Sequence, residues 1–145
     1  APSRGLGDVY KRQLFNREGG PTPPIGISVP QAMYDDFVEI CKPVKNINPD
    51  FPFEVKVAKP RKRPTSTGGT DASVFAVEGV PTYGFTTDDI KGYNFSYGEI
   101  WHTERDLYTK NIPEYQEHTA VVTAIVALGV ANLDKQLSRE GMYKE

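Results

Sequence analysis

The chain holds two histidines and one cysteine, so imidazole or thiolate chemistry has only His102, His118 and Cys41 to draw on. His102 stands in Trp101-His102-Thr103, with Asp106 four residues further on. Two carboxylates sit in glycine-rich surroundings: Glu18, followed by Gly19-Gly20, and Asp71, preceded by Gly68-Gly69-Thr70. Imidazole and carboxylate together are zinc-ligand chemistry. Each residue alone is weak evidence. A lone histidine at a strand end is more often a hydrogen-bonded structural residue, and a glutamate in a glycine turn is usually solvated. Asp71 serves equally well as a helix N-cap, and Asp106 as a local cap. His118 falls inside a helical pattern between polar neighbours and reads as a surface or packing histidine. Cys41 falls in an apolar stripe, where a buried structural thiol is the ordinary outcome, and as the only cysteine it forms no internal disulfide.

The elements that must position these residues alternate in type. Leu14-Phe15-Asn16-Arg17 reads as the end of a short strand running into Glu18 and the proline-rich turn at 21–24. From Gln31 the apolar residues Ala32, Met33, Phe37, Val38, Ile40 and Cys41 form a helical stripe that Pro43 ends. Phe53, Val55 and Val57 alternate with polar residues as a half-buried strand does. Lys59, Arg61, Lys62 and Arg63, spaced by prolines and without interleaved aromatics, read as a solvated loop. A short helix runs from Thr70-Asp71 to Val77 and stops at Gly79. Residues 82–86 read as a strand and 88–98 as a loop. The last helix has Asn111 and Glu114 as a capping box, Pro113 in its first turn, and Val121, Val122, Ile125, Val126, Leu128, Val130 and Leu133 as its apolar face. The tail after Gln136 is expected to fray. This alternation implies an α/β fold, a sheet with helices on both faces, in which ligands gather in loops beyond the strand ends.

Taken in order, Glu18, Gly-Gly-Thr-Asp at 68–71, Gly-Val-Pro at 79–81 and Trp-His-Thr-x-x-Asp at 101–106 resemble the closing half of the zinc-dependent exopeptidases of peptidase family M28, the aminopeptidase and glutamate carboxypeptidase type. The resemblance covers residues 14–137, leaving 1–13 as a leader that is non-native or disordered and 138–145 as a tail. It implies a partial zinc-exopeptidase sheet of the phosphorylase/hydrolase-like kind, a peptide substrate, and two zinc ions in the complete domain. Glu18 and His102 would each ligate one metal, Glu18 standing where the family more often has Asp. Asp71 and Asp106 would lie near the site, Asp106 orienting the imidazole through its second nitrogen. Trp101 departs from the family, which often has a tyrosine there to stabilise the oxyanion. Tyr83, Tyr93 and Tyr97 are the available substitutes.

A two-zinc site needs about five protein ligands and a general base. The family's His-x-Asp pair, bridging aspartate and Glu-Glu are not found in this sequence. The catalytic base is thus expected in the preceding half of the same domain, which becomes the chain's first partner, and the isolated chain is expected to be inactive. The alternative is an M28-like fold used as a non-catalytic binding module. Seventeen basic against nineteen acidic residues leave a net charge of −2, which draws the chain to neither nucleic acid nor anionic membrane. No apolar run approaches the roughly 18 residues of a membrane span. With 38% hydrophobic residues, 145 residues suffice for one core, and the compartment stays unread.

Overall fold

The structure, a computed structural model, describes residues 14–15 and 20–144. Its organising strand is one that the periodicity of the sequence did not announce. β2 (Pro24–Val29) is the middle of a three-stranded sheet, parallel to β3 (Glu54–Val57) and antiparallel to β5 (Phe85–Thr87). The prolines before it read as a turn cluster and hide it. Yet Pro24 occupies the first strand position, where a missing N–H is tolerated. Gly26 is required by close approach: a Cβ there would lie 2.5 Å from the Glu54 carbonyl oxygen. A second, two-stranded sheet pairs β1 (Leu14–Phe15) in parallel with β4 (Thr82–Tyr83). The strand expected over 82–86 is therefore divided between two sheets at Gly84.

The first helix, α1 (Tyr34–Cys41), is flanked by 3-10 turns at Gln31–Met33 and Lys42–Asn46. Pro43 does not end the helical run as expected. It falls in the first turn of the second 3-10 segment, where its lack of an N–H costs nothing. α2 (Ala72–Val77) packs against β1 and β4 and stops at Gly79, whose φ of +72° suits a residue without Cβ. The Arg63 guanidinium donates to the Val77 carbonyl from Nε at 3.0 Å and Nη2 at 2.6 Å, and Arg61 Nη2 donates to Thr82 Oγ1 at 2.8 Å. Two cations of the basic loop are thus structural.

After the short helix α3 (Tyr97–Ile100) comes α4 (Pro113–Ala131), the longest element. Tyr115, His118, Val122, Val126 and Val130 are its buried residues, a stripe at spacings of three and four. Val121 and Leu128, expected on that face, point outward, and Leu128 is 64% exposed. The capping box is absent. Ile112 is the N-cap without a side-chain bond, and Glu114 is drawn instead to Lys91 and Tyr93 of the preceding loop.

α1 and α4 pack on each other and on one face of the sheet, where Ile27, Val29, Phe37, Val44, Phe53, Val122 and Val126 form the core. Each such side chain contributes about 1.5–3 kcal/mol on burial. Cys41 lies in this core, and burial pushes its thiol up to about 11, which makes it inert. The other face carries Ser28, Glu54, Lys56 and Thr86, all exposed. Helices expected on both faces are therefore found on one face of this sheet among the described residues. The fold is mixed α/β with a small mixed sheet. The tail does not fray: Leu137 and Met142 are buried, the Arg61 N–H donates to the Met142 carbonyl, and the Lys144 N–H to the Arg61 carbonyl. Among the described residues no helix is long and apolar enough to cross a membrane.

Candidate functional site

His102 does not stand at a strand end. The chain leaves α3 through a tight turn in which the Trp101 N–H donates to the Tyr97 carbonyl and the Thr103 N–H to the Ile100 carbonyl. Thr103 holds the turn with its hydroxyl on the Ile100 carbonyl at 2.9 Å. His102 itself takes a left-handed backbone, φ 54°, a conformation uncommon outside glycine and often found at functional positions. His102 is exposed, and its ring packs edge-on against Trp101, with centroids 4.7 Å apart.

This turn forms one wall of an open cleft of about 1040 Å³. Asp71 lies on the cleft with Gly69 and Thr70, Asp106 lies on it beyond His102, and Gly20 contributes from the segment after β1. Three segments far apart in sequence thus meet. Glu18 lies outside the described residues. Asp71 is not the helix cap that its position suggests: its backbone is already helical, φ −60° and ψ −31°, and its carboxylate makes no capping bond. The local bond goes instead from the Gly68 N–H to Ser73 Oγ at 2.9 Å. Asp106 is not hydrogen-bonded to the imidazole; its backbone N–H closes the next turn on the Thr103 carbonyl. Among the described residues no group of three or more His, Cys, Asp and Glu is placed to hold a metal. The donor types on the cleft among the described residues, one imidazole and two carboxylates, are those zinc accepts, but they do not converge.

Of the tyrosines considered beside Trp101, only Tyr97 lines the cleft. Tyr83 is buried edge-on against Phe37, and burial drives its phenol far up. The Tyr93 hydroxyl donates to Glu114. Tyr97 and Trp101 stack, centroids 6.0 Å apart and planes 26° apart, and Leu107 and Tyr108 continue the apolar lining. Sequence reasoning passed over this aromatic wall, although the i, i+4 spacing of Tyr97 and Trp101 was its signal.

His118 is far from surface chemistry. It is 4% exposed and stacks at a tilt on Phe51, centroids 4.3 Å apart. Burial lowers its pKa and the Pro24 carbonyl opposes this, but neither ring nitrogen makes a hydrogen bond of ordinary geometry. The packing histidine expected there is what the fold contains. No family model, no curated protein and no solved structure matches the chain.

Proposed function

We propose that this chain forms the closing part of a zinc-dependent exopeptidase domain of the M28 type, acting on peptides. One observation supports the reading: the turn with Asp71, the turn with His102 and Gly20, two residues after Glu18, line a single cleft although they are dozens of residues apart. These are the segments on which the sequence resemblance rests. In this reading His102 and Glu18 hold metal, while Asp71 stays near it without ligating. A zinc pair supplies Lewis-acid charge and an activated water when bound. The thin donor set of the cleft fits this only if further ligands and the general base come from residues outside this chain. The same missing layer would cover the bare face of Ser28, Glu54, Lys56 and Thr86 and complete a phosphorylase/hydrolase-like sheet.

The second reading, a binding module without catalysis, is favoured by one feature, the indole of Trp101 where a phenol would assist the oxyanion. The two histidines make a direct test. In a ¹⁵N-labelled protein where this chain is joined to residues supplying the remaining ligands, stoichiometric zinc should shift the His102 ring resonances and leave those of His118 unmoved. A His102 ring unmoved by zinc in that protein would remove the metal reading.

A further inference from the structure

The aromatic lining of the cleft is unusual for an exposed surface. Tyr97, Ile100, Trp101, Leu107 and Tyr108 all line the cleft. Trp101 is 56% and Tyr108 92% exposed, so these rings are not spent on the core. Side chains this large are ordinarily buried, and a contiguous apolar group beside polar ones marks a place where something binds. The stacked pair is also held in place: Tyr97 opens α3, Trp101 caps its C-terminal end, and the Trp101 N–H is fixed on the Tyr97 carbonyl at 2.9 Å. A rigid pair loses little entropy when a third ring is added.

We infer that this wall is a side-chain platform selecting peptides with an aromatic residue next to the bond presented to His102. The inference rests on the peptidase reading for the nature of the ligand. Three observations select the class. The Trp101 ring meets the His102 imidazole edge-on at 4.7 Å, so a group on the platform lies beside the candidate ligand. Asp71 and Asp106 share the cleft and disfavour an acidic side chain. Lys110 is the one cation among the described lining residues, and its ammonium lies over the Phe95 ring at 5.7 Å, which directs it toward an aromatic face. An aromatic ring offset on the Tyr97–Trp101 pair adds apolar burial and stacking together.

Trp101 is the only tryptophan, so its emission reports the platform directly, without metal or turnover. The chain is titrated with the tripeptides Ala-Phe-Ala, Ala-Gly-Ala and Ala-Asp-Ala. Ala-Phe-Ala should change Trp101 emission saturably and bind about tenfold or more tighter than the other two, a 1.4 kcal/mol discrimination. Tyr97→Ala keeps the reporter and, at an exposed position, keeps the fold, which far-ultraviolet circular dichroism checks. It should reduce the preference for Ala-Phe-Ala at least about fivefold. Equal affinity for the three peptides, no saturable response to any, or a preference undiminished in Tyr97→Ala overturns the platform. Zinc titration of the joined protein, beside the peptide titrations, separates the two claims. Zinc shifts at His102 without peptide discrimination overturn only the platform. Peptide discrimination without zinc shifts upholds the platform and overturns the metal reading beneath it.

Discussion

The Tyr115 hydroxyl donates to Asp89 Oδ1 at 2.7 Å, joining the first buried position of α4 to the loop that leads into the cleft wall. The same hydroxyl oxygen accepts the Lys91 N–H at 2.9 Å, and the Asp89 carboxylate accepts the N–H groups of Tyr93 and Phe95. Lys91 and Tyr93 in turn meet Glu114, one residue before Tyr115. A loop without regular structure is thereby fixed at one end to the longest helix, and His102 follows from it.

Tyr115→Phe should loosen this loop while the core persists. The ring still packs edge-on on Phe51, but Asp89 and the Lys91 N–H lose their shared partner. Amide exchange at Tyr93 and Phe95 should quicken about tenfold, with little change at Val122 or Val126. The pH response should move as well. The Tyr115 hydroxyl is the first cause holding the Asp89 carboxyl below its ordinary 3.8, with the backbone N–H groups adding to it. A lowered carboxyl stabilises the fold above its unfolded pKa, and that contribution is lost as pH falls through the folded value. In Tyr115→Phe the folded value should rise toward the ordinary one, so the contribution is smaller and its loss is complete at a higher pH, a rise that a carboxyl-region NMR titration of Asp89 would read.

His118 gives the opposite pairing of burial and solvation. Its ring is enclosed without hydrogen bonds, so burial favours the neutral form and lowers its pKa from 6.5. The unfolded chain therefore takes up the proton first, and stability present above about pH 6.5 falls as pH drops toward the folded value. His118→Leu, close in volume and without buried polar atoms, should flatten this dependence between about pH 7 and pH 5. His118→Ala should instead cost about 2–4 kcal/mol through the cavity left beside Phe51. Urea unfolding at a series of pH values measures both. An unchanged pH slope in His118→Leu would show that the ring is not the titrating group.

Gly129 marks where α4 passes closest to α1. A Cβ there would come within 2.5 Å of Ile40 Cγ2 and 3.0 Å of Cγ1. Gly129→Ala gains helix propensity of about 1 kcal/mol but forces the helices apart, and overpacking of this kind costs about 1–3 kcal/mol. The net effect should be destabilising. Combining it with Ile40→Ala should recover part of the loss, a coupling visible in a double-mutant cycle of urea midpoints. Strict additivity would place the contact elsewhere.

What the sequence disclosed follows from how local each signal is. α1, α2, β3 and α4 are legible because their apolar spacing or glycine stop lies within a few residues. β2 was missed because its neighbours are prolines and its assignment depends on partners at 54–57 and 85–87, which no local pattern reveals. Pairing at a distance also explains the caps. Asn111 and Glu114 satisfy the capping spacing, but Lys91 offers Glu114 a charge that no local rule anticipates. At the candidate site, Asp71 and His102 line one cleft, but not as strand-end loops of one sheet: the expectation of convergence rested on a strand before His102 that the fold does not contain. The backbone of His102 was not legible: its turn follows a four-residue helix, and nothing in Ile100-Trp101-His102 distinguishes that from a strand end. The outward turn of Leu128 has the same origin, because a face wide enough to include it exceeds what the sheet covers.

The isolated chain should show no peptidase turnover, with or without zinc, because among the described residues the imidazole and the two carboxylates of the cleft do not converge on a metal, so no activated water is generated. In a protein where this chain is joined to residues supplying the remaining ligands, His102→Ala should lower kcat/KM at least about 1000-fold, the scale on which charge stabilisation of the transition state is lost. Zinc content should fall with it. The fold should persist, because the core through Val122, Val126 and Phe37 contains no part of the cleft turn. His118→Leu in the same protein should keep both zinc and activity, since Phe51 and Pro24, not the cleft, surround that ring. Metal analysis, steady-state kinetics and circular dichroism on the two variants decide it. Full zinc content and activity in His102→Ala would leave His102 as a turn residue with a strained backbone and no chemistry.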